Sequence, residues 1–119
     1  MSGEPSADCL FCRIVRRELP SKVVYEDERL FVFEDIHPKA PVHVLVVPKR
    51  HFSSLEEVPE GEAALLGEIL LRARMLAREK GVGASGYRIV LNTARDAGQS
   101  VFHLHFHVLG GRLLLWPPG

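Results

Sequence analysis

Three histidines occupy alternate positions near the end of the chain. Within residues 100–111, SVFHLHFHVLGG, His103, His105 and His107 are separated by single apolar residues. Side chains at alternate positions of a β-strand point to the same face, so this pattern predicts one strand face that carries three imidazoles. Histidine is not a favoured strand residue, and three in strict alternation indicate a chemical role more than a solvated polar face.

A single metal ion bound by all three histidines fits strand geometry poorly. On a strand, the Cα atoms of His103 and His107 lie about 13 Å apart, whereas nitrogen ligands of one zinc ion lie only ~3–4 Å apart. One or two of the three could still bind a metal together with residues from elsewhere in the chain.

Nucleophilic catalysis is the other chemistry that this spacing suggests. A protonated neighbour disfavours a second positive charge on the central His105, which would keep its ring neutral with a free lone pair. Neutral imidazole attacks phosphorus as well as carbon. The outer histidines can donate hydrogen bonds to the charge that builds on phosphate oxygens.

The loop before the histidines is suited to a phosphate. Gly98 allows close approach of the backbone, and Gln99 and Ser100 offer an amide and a hydroxyl. Most short loops of this composition are only turns. The position of this one, directly before the histidine stretch, makes a phosphate-binding role the stronger interpretation.

The two cysteines of the chain, Cys9 and Cys12, have C-x₂-C spacing. This spacing lets two thiolates bind one metal ion. A structural disulfide is not expected in a reducing cytosol, so metal binding and redox chemistry both remain open.

Length and composition predict one soluble domain, residues 1–119. The chain is 46% hydrophobic and 25% charged, and its 15 basic and 15 acidic residues balance. A balanced charge gives no broad attraction to nucleic acid or to an anionic membrane. No apolar run approaches the ~20 residues that span a bilayer, and the start of the chain does not resemble a secretory signal. We therefore expect a cytoplasmic protein with no nucleic-acid or membrane partner.

Hydrophobic periodicity predicts an α+β fold with two helices and five strands. The short connection between the last two strands favours an antiparallel pair, and we expect an antiparallel sheet with its helices on one face. Residues 1–8 are expected to be loose. The predicted helices are 9–18 and 60–80, and the predicted strands are 23–26, 29–35, 42–47, 86–92 and 101–109.

The sequence resembles the histidine-triad (HIT) family. The defining pattern of that family is His-φ-His-φ-His-φ-φ, where φ is apolar, and residues 103–109 match it completely. The endings HVLGGR and WPPG are similar to the Hint branch in particular. The CLFC stretch departs from animal Hint proteins and is typical of many bacterial HIT proteins.

The resemblance implies a HIT-like fold, a five-stranded antiparallel sheet with two helices that dimerises through a two-fold axis. It also implies hydrolysis of purine nucleoside 5′-phosphoramidates, chiefly of AMP type, through a nucleotidyl-histidine intermediate and without a catalytic cofactor. Two alternatives remain: a dinucleoside polyphosphate hydrolase, and a nucleotide-binding or scaffold protein whose activity is incidental.

The resemblance also assigns roles to individual residues. His105 is the nucleophile, His103 supports it, His107 faces the phosphate or leaving group, and Ser100 can protonate the departing amine. Taken without the resemblance, most of the other matched residues would be assigned to core or turn positions, and His37 to the surface. The implied nucleotide contacts are Phe11, Phe33, Asp35, Ile36, His43, Asn92, Gly98, Gln99, Ser100, Val101, His105 and His107.

Two further expectations concern zinc and the dimer. Similar bacterial proteins complete a structural zinc site with the equivalents of His51 and His103 beside Cys9 and Cys12. The apolar tail, residues 112–119, is expected at the homodimer interface, because a small monomer struggles to cover so many apolar residues. Its alternative is a tail folded back onto its own core.

Overall fold

A computed structural model describes residues 8–119. The predicted loose segment, residues 1–8, lies outside the described residues apart from Asp8. The helices are α1 (Leu10–Val15), α2 (Ala63–Glu79) and α3 (Ala94–Ala97), and the strands are β1 (Val23–Glu26), β2 (Leu30–Glu34), β3 (Val42–Pro48), β4 (Tyr87–Leu91) and β5 (Phe106–Gly110).

The five strands form one antiparallel sheet in the order β1-β2-β3-β5-β4. The predicted architecture is therefore confirmed, including the antiparallel pairing of β4 with β5. β3 lies at the centre, where Leu45 pairs with Phe33 of β2 on one side and with His107 of β5 on the other. Its β-branched, apolar sequence suits a strand that is buried on both faces.

The helices pack on opposite faces of the sheet, so the expectation of helices on one face is wrong. Val44 and Val46 of β3 belong to the apolar cluster beneath α2. Leu45 and Val47 belong to a second cluster, together with Phe11 of α1. Because successive residues of β3 point to opposite faces and all except His43 are apolar, both faces require cover.

α1 is shorter than the predicted helix 9–18. Cys9 acts as its N-cap, with the sulfur accepting a hydrogen bond from the Cys12 N–H at 3.2 Å. The helix ends after Val15, and Arg17 adopts a left-handed conformation with φ of +65°. A Cys9 side chain turned back to cap its own helix stays beside Cys12, which brings the two sulfur atoms to the same end of α1.

α2 agrees with the predicted helix 60–80 at its C-terminal end. Lys80 is the C-cap, and Gly81 follows with φ of +83°, the left-handed conformation that glycine adopts most readily after a helix. At the other end, Glu60–Glu62 form a separate 3₁₀ turn. Three short helical features of the fold were not predicted: this break, a 3₁₀ turn at Leu55–Glu57, and the four-residue helix α3, which lies inside the segment assigned to a loop.

β5 begins at Phe106, five residues later than predicted. The preceding residues stay close to the sheet but leave the ladder, and the Leu104 N–H donates to the Phe52 carbonyl at 2.7 Å. Leu104, Phe106 and Val108 still face the α2 cluster. The alternation in the sequence therefore persists, while His103 and His105 lie on an irregular segment and only His107 is on a paired strand.

The C-terminal tail lies mostly in solvent. Leu113, Leu115 and Trp116 are 83%, 72% and 79% exposed, so the tail does not complete the core of its own chain. Two arginines tether it: Arg88 donates to the Leu115 carbonyl at 3.0 Å, and Arg112 donates to the Lys39 carbonyl. No helix within residues 8–119 is both long and apolar enough to cross a membrane.

Candidate functional site

Two histidine-containing groups lie on the α1 side of the sheet. In the first, which we call the cysteine–histidine cluster, the side-chain donor atoms of Cys9, Cys12, His51 and His103 all lie within 4.8 Å of one another. These residues come from α1, from the segment after β3 and from the segment before β5. The structure thus brings together all four residues expected to bind zinc.

Hydrogen bonding determines which ring nitrogen His103 presents to this cluster. Its Nε2–H donates to the Pro48 carbonyl at 2.8 Å, which leaves a lone pair on Nδ1. That Nδ1 lies 3.2 Å from His51 Nδ1 and 3.3 Å from Cys9 Sγ. Ligands on one tetrahedral zinc ion lie about 3.3–3.8 Å apart, given its bond lengths of 2.0–2.3 Å. The donor types and their spacing therefore fit zinc.

Burial sets the protonation of the cluster when no metal is present. It lowers the pKa of His103 to about 4, so this imidazole is neutral at pH 7 and available as a ligand. Burial also raises the pKa of the Cys9 thiol to about 11. A metal cation reverses that preference because it binds the thiolate, so ion binding would release protons from the thiols.

The second group faces a cavity of about 320 Å³ between α1, the end of β2 and the loop before β5. The cavity is lined by His105 and His107 of the triad. It is also lined by six other residues that the resemblance predicts at the nucleotide site. These eight residues are Phe11, Phe33, Asp35, Ile36, Ser100, Val101, His105 and His107.

His105 is held in one tautomer by the backbone. Its Nδ1–H donates to the His103 carbonyl at 2.7 Å, so Nε2 carries the lone pair. The ring packs edge-on against Phe11, with centroids 5.1 Å apart. Burial lowers the pKa of His105 below its ordinary value, which favours the neutral ring. A neutral imidazole with a free Nε2 is the form that can act as a nucleophile.

His107 is held in the opposite tautomer by a short chain of hydrogen bonds. The Lys39 N–H donates to His43 Nδ1 at 3.0 Å, so the proton of neutral His43 is on Nε2. That Nε2–H donates to His107 Nδ1 at 2.9 Å and lies 3.4 Å from Asp35 Oδ2. His107 therefore carries its own proton on Nε2. Burial, followed by the neighbouring His105 and His43, lowers the pKa of His107 to about 4.

Four residues expected to contact the nucleotide do not line the cavity: His43, Asn92, Gly98 and Gln99. His43 lies behind His107 and acts on it as described. Gln99 is buried, and its side chain makes hydrogen bonds to backbone groups of the protein. Gly98 has φ of +86° and ends α3. His43 and Gln99 therefore support the site from behind its surface.

The cavity also has lining residues that sequence reasoning missed. His37, assigned to the surface, lies at the rim beside Asp35, whose Oδ1 accepts a hydrogen bond from the His37 N–H at 2.8 Å. Ser21 and Leu19 come from the connection between α1 and β1. A signal for His37 was its position two residues after Asp35, in an Asx-type turn that keeps the two together.

Known proteins are similar in sequence to this chain over most of its length. The model of the HIT domain family matches residues 16–114. This chain belongs to the HIT domain family. An uncharacterized HIT-like protein from Synechococcus elongatus is 48% identical over 114 residues, covering 96% of this chain and 99% of its own.

Two solved structures bear on the site. A HIT family hydrolase from Legionella pneumophila superposes with a TM-score of 0.92 at 46% identity, covering 94% of this chain and all of that one. A Zn-bound histidine triad family protein from Mycobacterium smegmatis gives a TM-score of 0.77 at 36% identity, covering 88% of this chain and 76% of that one. The fold of the HIT family is therefore shared across this set.

Proposed function

We propose that this protein is a nucleotide-binding hydrolase that cleaves purine nucleoside 5′-phosphoramidates of the AMP type. The observation that carries this proposal is the bond from His105 Nδ1–H to the His103 carbonyl, which leaves Nε2 as a free nucleophile at a cavity. The likeness to solved HIT family hydrolases supports hydrolysis as the class of reaction.

The cavity lining suggests how the nucleotide is held. The base would pack among Phe11, Phe33 and Ile36, whose side chains present apolar surface at one end. The ribose hydroxyls would bond to Asp35, a carboxylate at the end of β2 that accepts hydrogen bonds. This arrangement leaves the α-phosphate between the loop at Ser100 and the two histidines.

The reaction then proceeds in two displacements at phosphorus. His105 Nε2 attacks phosphorus, a P–N bond to the ring forms, and the P–N bond to the leaving amine breaks. The electron pair stays on the amine, which takes a proton from Ser100 or from His107 Nε2–H. Water next attacks phosphorus of the nucleotidyl-histidine, and the P–N bond to His105 breaks. The proton of the water returns to the Ser100 or His107 that protonated the amine, and the nucleoside monophosphate and neutral His105 are released. Hydrogen-bond donors suffice for the phosphate charge, so no catalytic metal takes part.

Zinc, in this proposal, is structural. Cys9, Cys12, His51 and His103 would hold it, with the donor types and spacing described above and with a Zn-bound histidine triad protein among the related structures. Zinc would fix the position of His103, whose carbonyl orients the His105 ring. The metal would thus act on the nucleophile through protein geometry.

A homodimer with two-fold symmetry is also part of the proposal. The exposed Leu113, Leu115 and Trp116 form apolar surface that its own chain leaves uncovered, and β4 is an edge strand that needs cover. We expect the tail at this interface. A monomer mass by sedimentation at micromolar concentration would contradict the dimer, and Trp116→Ala should shift the equilibrium towards monomer.

Steady-state rates on three substrate types test the function. AMP phosphoramidate and GMP phosphoramidate should be hydrolysed with higher kcat/KM than diadenosine polyphosphates. A preference for the polyphosphates would favour the dinucleoside polyphosphate hydrolase. Tight AMP binding with no turnover of any of the three would favour a nucleotide-binding or scaffold role.

A further inference from the structure

The loop at one end of the cavity is held from inside by a single buried amide. Gln99 is 7% exposed. Its Oε1 accepts a hydrogen bond from the Ala94 N–H at 2.9 Å, and its Nε2 donates to the Ser53 carbonyl at 2.7 Å and to the Val101 carbonyl at 3.1 Å. Every hydrogen-bonding group of this side chain except one acceptor lone pair is therefore engaged with the backbone.

The bond to Ala94 stabilises an unfavourable piece of backbone. Ala94 has φ of +67°, a conformation that costs a residue with a side chain roughly 1–2 kcal/mol. Thr93, at the N-cap position of α3, makes no side-chain capping bond. Gln99 Oε1 instead provides an acceptor for the N–H of Ala94, the first residue of α3, and the Gln99 N–H donates to the Ala94 carbonyl at 3.1 Å. The two residues thus close the loop into a ring.

The bond to Ser53 ties this ring to the segment that follows β3. Three consecutive residues of that segment contact residues 99–104: His51 faces His103, the Phe52 carbonyl accepts from the Leu104 N–H, and the Ser53 carbonyl accepts from Gln99. Ser100 lies between two fixed points, Gln99 itself and the Val101 carbonyl. The Gln99 side chain therefore links the backbone on the two sides of Ser100.

We propose that Gln99 is a positioning residue that holds Ser100 against the leaving amine and does not bind the phosphate through its side chain. This inference rests on the proposed function, and within it on Ser100 as the proton donor to the leaving amine. Turning the amide towards a phosphate would break three hydrogen bonds and leave backbone groups of Ala94 and Ser53 without these partners. Each buried group left unsatisfied costs about 1–3 kcal/mol.

The dependence on the leaving group separates positioning from phosphate binding. Loss of a proton donor matters most when the leaving amine is strongly basic, because such an amine departs poorly without a proton. We expect Gln99→Met and Ser100→Ala each to lower kcat about 100-fold on an AMP phosphoramidate of an alkylamine. On the p-nitroaniline phosphoramidate the change should be small, and the Kd of AMP should be unchanged.

A double variant tests whether Gln99 acts through Ser100. Gln99→Met combined with Ser100→Ala should be little slower than either single variant, because both remove the same interaction. Arg95→Met, on the exposed side of the same loop, is the matched control and should behave as wild type. If Gln99→Met slows both substrates equally and weakens AMP binding, or if the two losses multiply, the positioning role is wrong.

Amide hydrogen exchange tests the role of Gln99 without a measurement of P–N hydrolysis. In folded Gln99→Met, the Ala94 amide should exchange at least about tenfold faster, while the Leu104 amide keeps its protection. Gln99→Asn, one methylene shorter, serves if the Met variant does not fold. Unchanged exchange at Ala94 overturns the inference whatever the activity. If Gln99→Met speeds exchange at Ala94 but the wild-type protein hydrolyses neither phosphoramidate, the proposed function is wrong. The Gln99 hydrogen bonds to the loop are then still supported.

Discussion

His103 and His105 are two residues apart in the chain, yet their surroundings give them opposite chemistry. His103 donates through Nε2 and turns the Nδ1 lone pair to two cysteines and His51. His105 donates through Nδ1 and keeps the Nε2 lone pair for the cavity. In both cases a backbone carbonyl determines the tautomer. The pattern of residue types identifies the imidazoles, whereas the carbonyl beside each one decides which ring nitrogen keeps its lone pair.

The largest expected effect comes from disabling the cavity group alone. His105→Asn should lower kcat for AMP phosphoramidate by about 10⁴-fold or more, because it removes the attacking atom. AMP binding and zinc content should stay near wild type, since the cysteine–histidine cluster is intact. His107→Asn is the comparison variant and should cost less, about 10²-fold, because it removes a donor. Near-wild-type turnover by folded His105→Asn would contradict the mechanism.

The tautomer of His107 offers a sharper test within the cavity. His43→Leu removes the Nε2–H that donates to His107 Nδ1, so the proton of His107 is free to move to the wrong nitrogen. We expect kcat to fall about 10- to 100-fold, and the ¹⁵N shifts of the His107 ring to show a mixture of tautomers.

A conservative variant is the control for that change. His43→Gln keeps an N–H of similar reach and should restore part of both the rate and the ¹⁵N pattern. If His43→Leu changes kcat but leaves the His107 ring in one tautomer, the hydrogen-bond chain is not the cause.

Disrupting the cysteine–histidine cluster should lower kcat less than the changes at the cavity histidines and should lower the stability of the fold more. Cys12→Ser should lower bound zinc from about one per chain to a small fraction, reduce the melting temperature, and cost about tenfold in kcat through the displaced His103. Metal analysis and thermal unfolding measure the two effects. His37→Asn, at a histidine outside the cluster, is the control for zinc content. Wild-type protein purified without chelator and lacking zinc would contradict the site.

The pH dependence of stability is the smallest effect. The folded pKa of His107 is about 4, against about 6.5 in the unfolded chain. Below pH 6.5 the unfolded state therefore binds the proton that the folded state refuses, and stability falls until the pH reaches the folded value. For one such group, the free energy of unfolding should fall by about 2 kcal/mol between pH 7.5 and 5. Urea unfolding of wild type and His107→Asn measures this, and an equal slope in both would exclude His107 as the source.

Much of this structure could be predicted because its signals are local. Period-two and helical patterns in the sequence predict five strands and two helices, and the family resemblance predicts that His51 lies beside the two cysteines. The wrong face for α1 has a physical origin, since β3 carries apolar residues on both faces and its sequence does not indicate which helix covers which side. The direction of Gln99 was equally hidden, because its partners, Ala94 and Ser53, are backbone groups that no side-chain pattern reveals.

The sequence of β3 also bears on how its register against the neighbouring strands is fixed. Its residues from Val44 to Pro48 are buried on both faces, so hydrophobicity alone would tolerate a shift of one residue against its neighbours. His43 breaks that degeneracy. After such a shift its ring would enter the apolar cluster beneath α2, away from the Lys39 N–H and His107 that now satisfy both nitrogens. The imidazole that orients His107 thus also favours the observed strand register, because the shifted register would leave a buried polar group without hydrogen-bond partners.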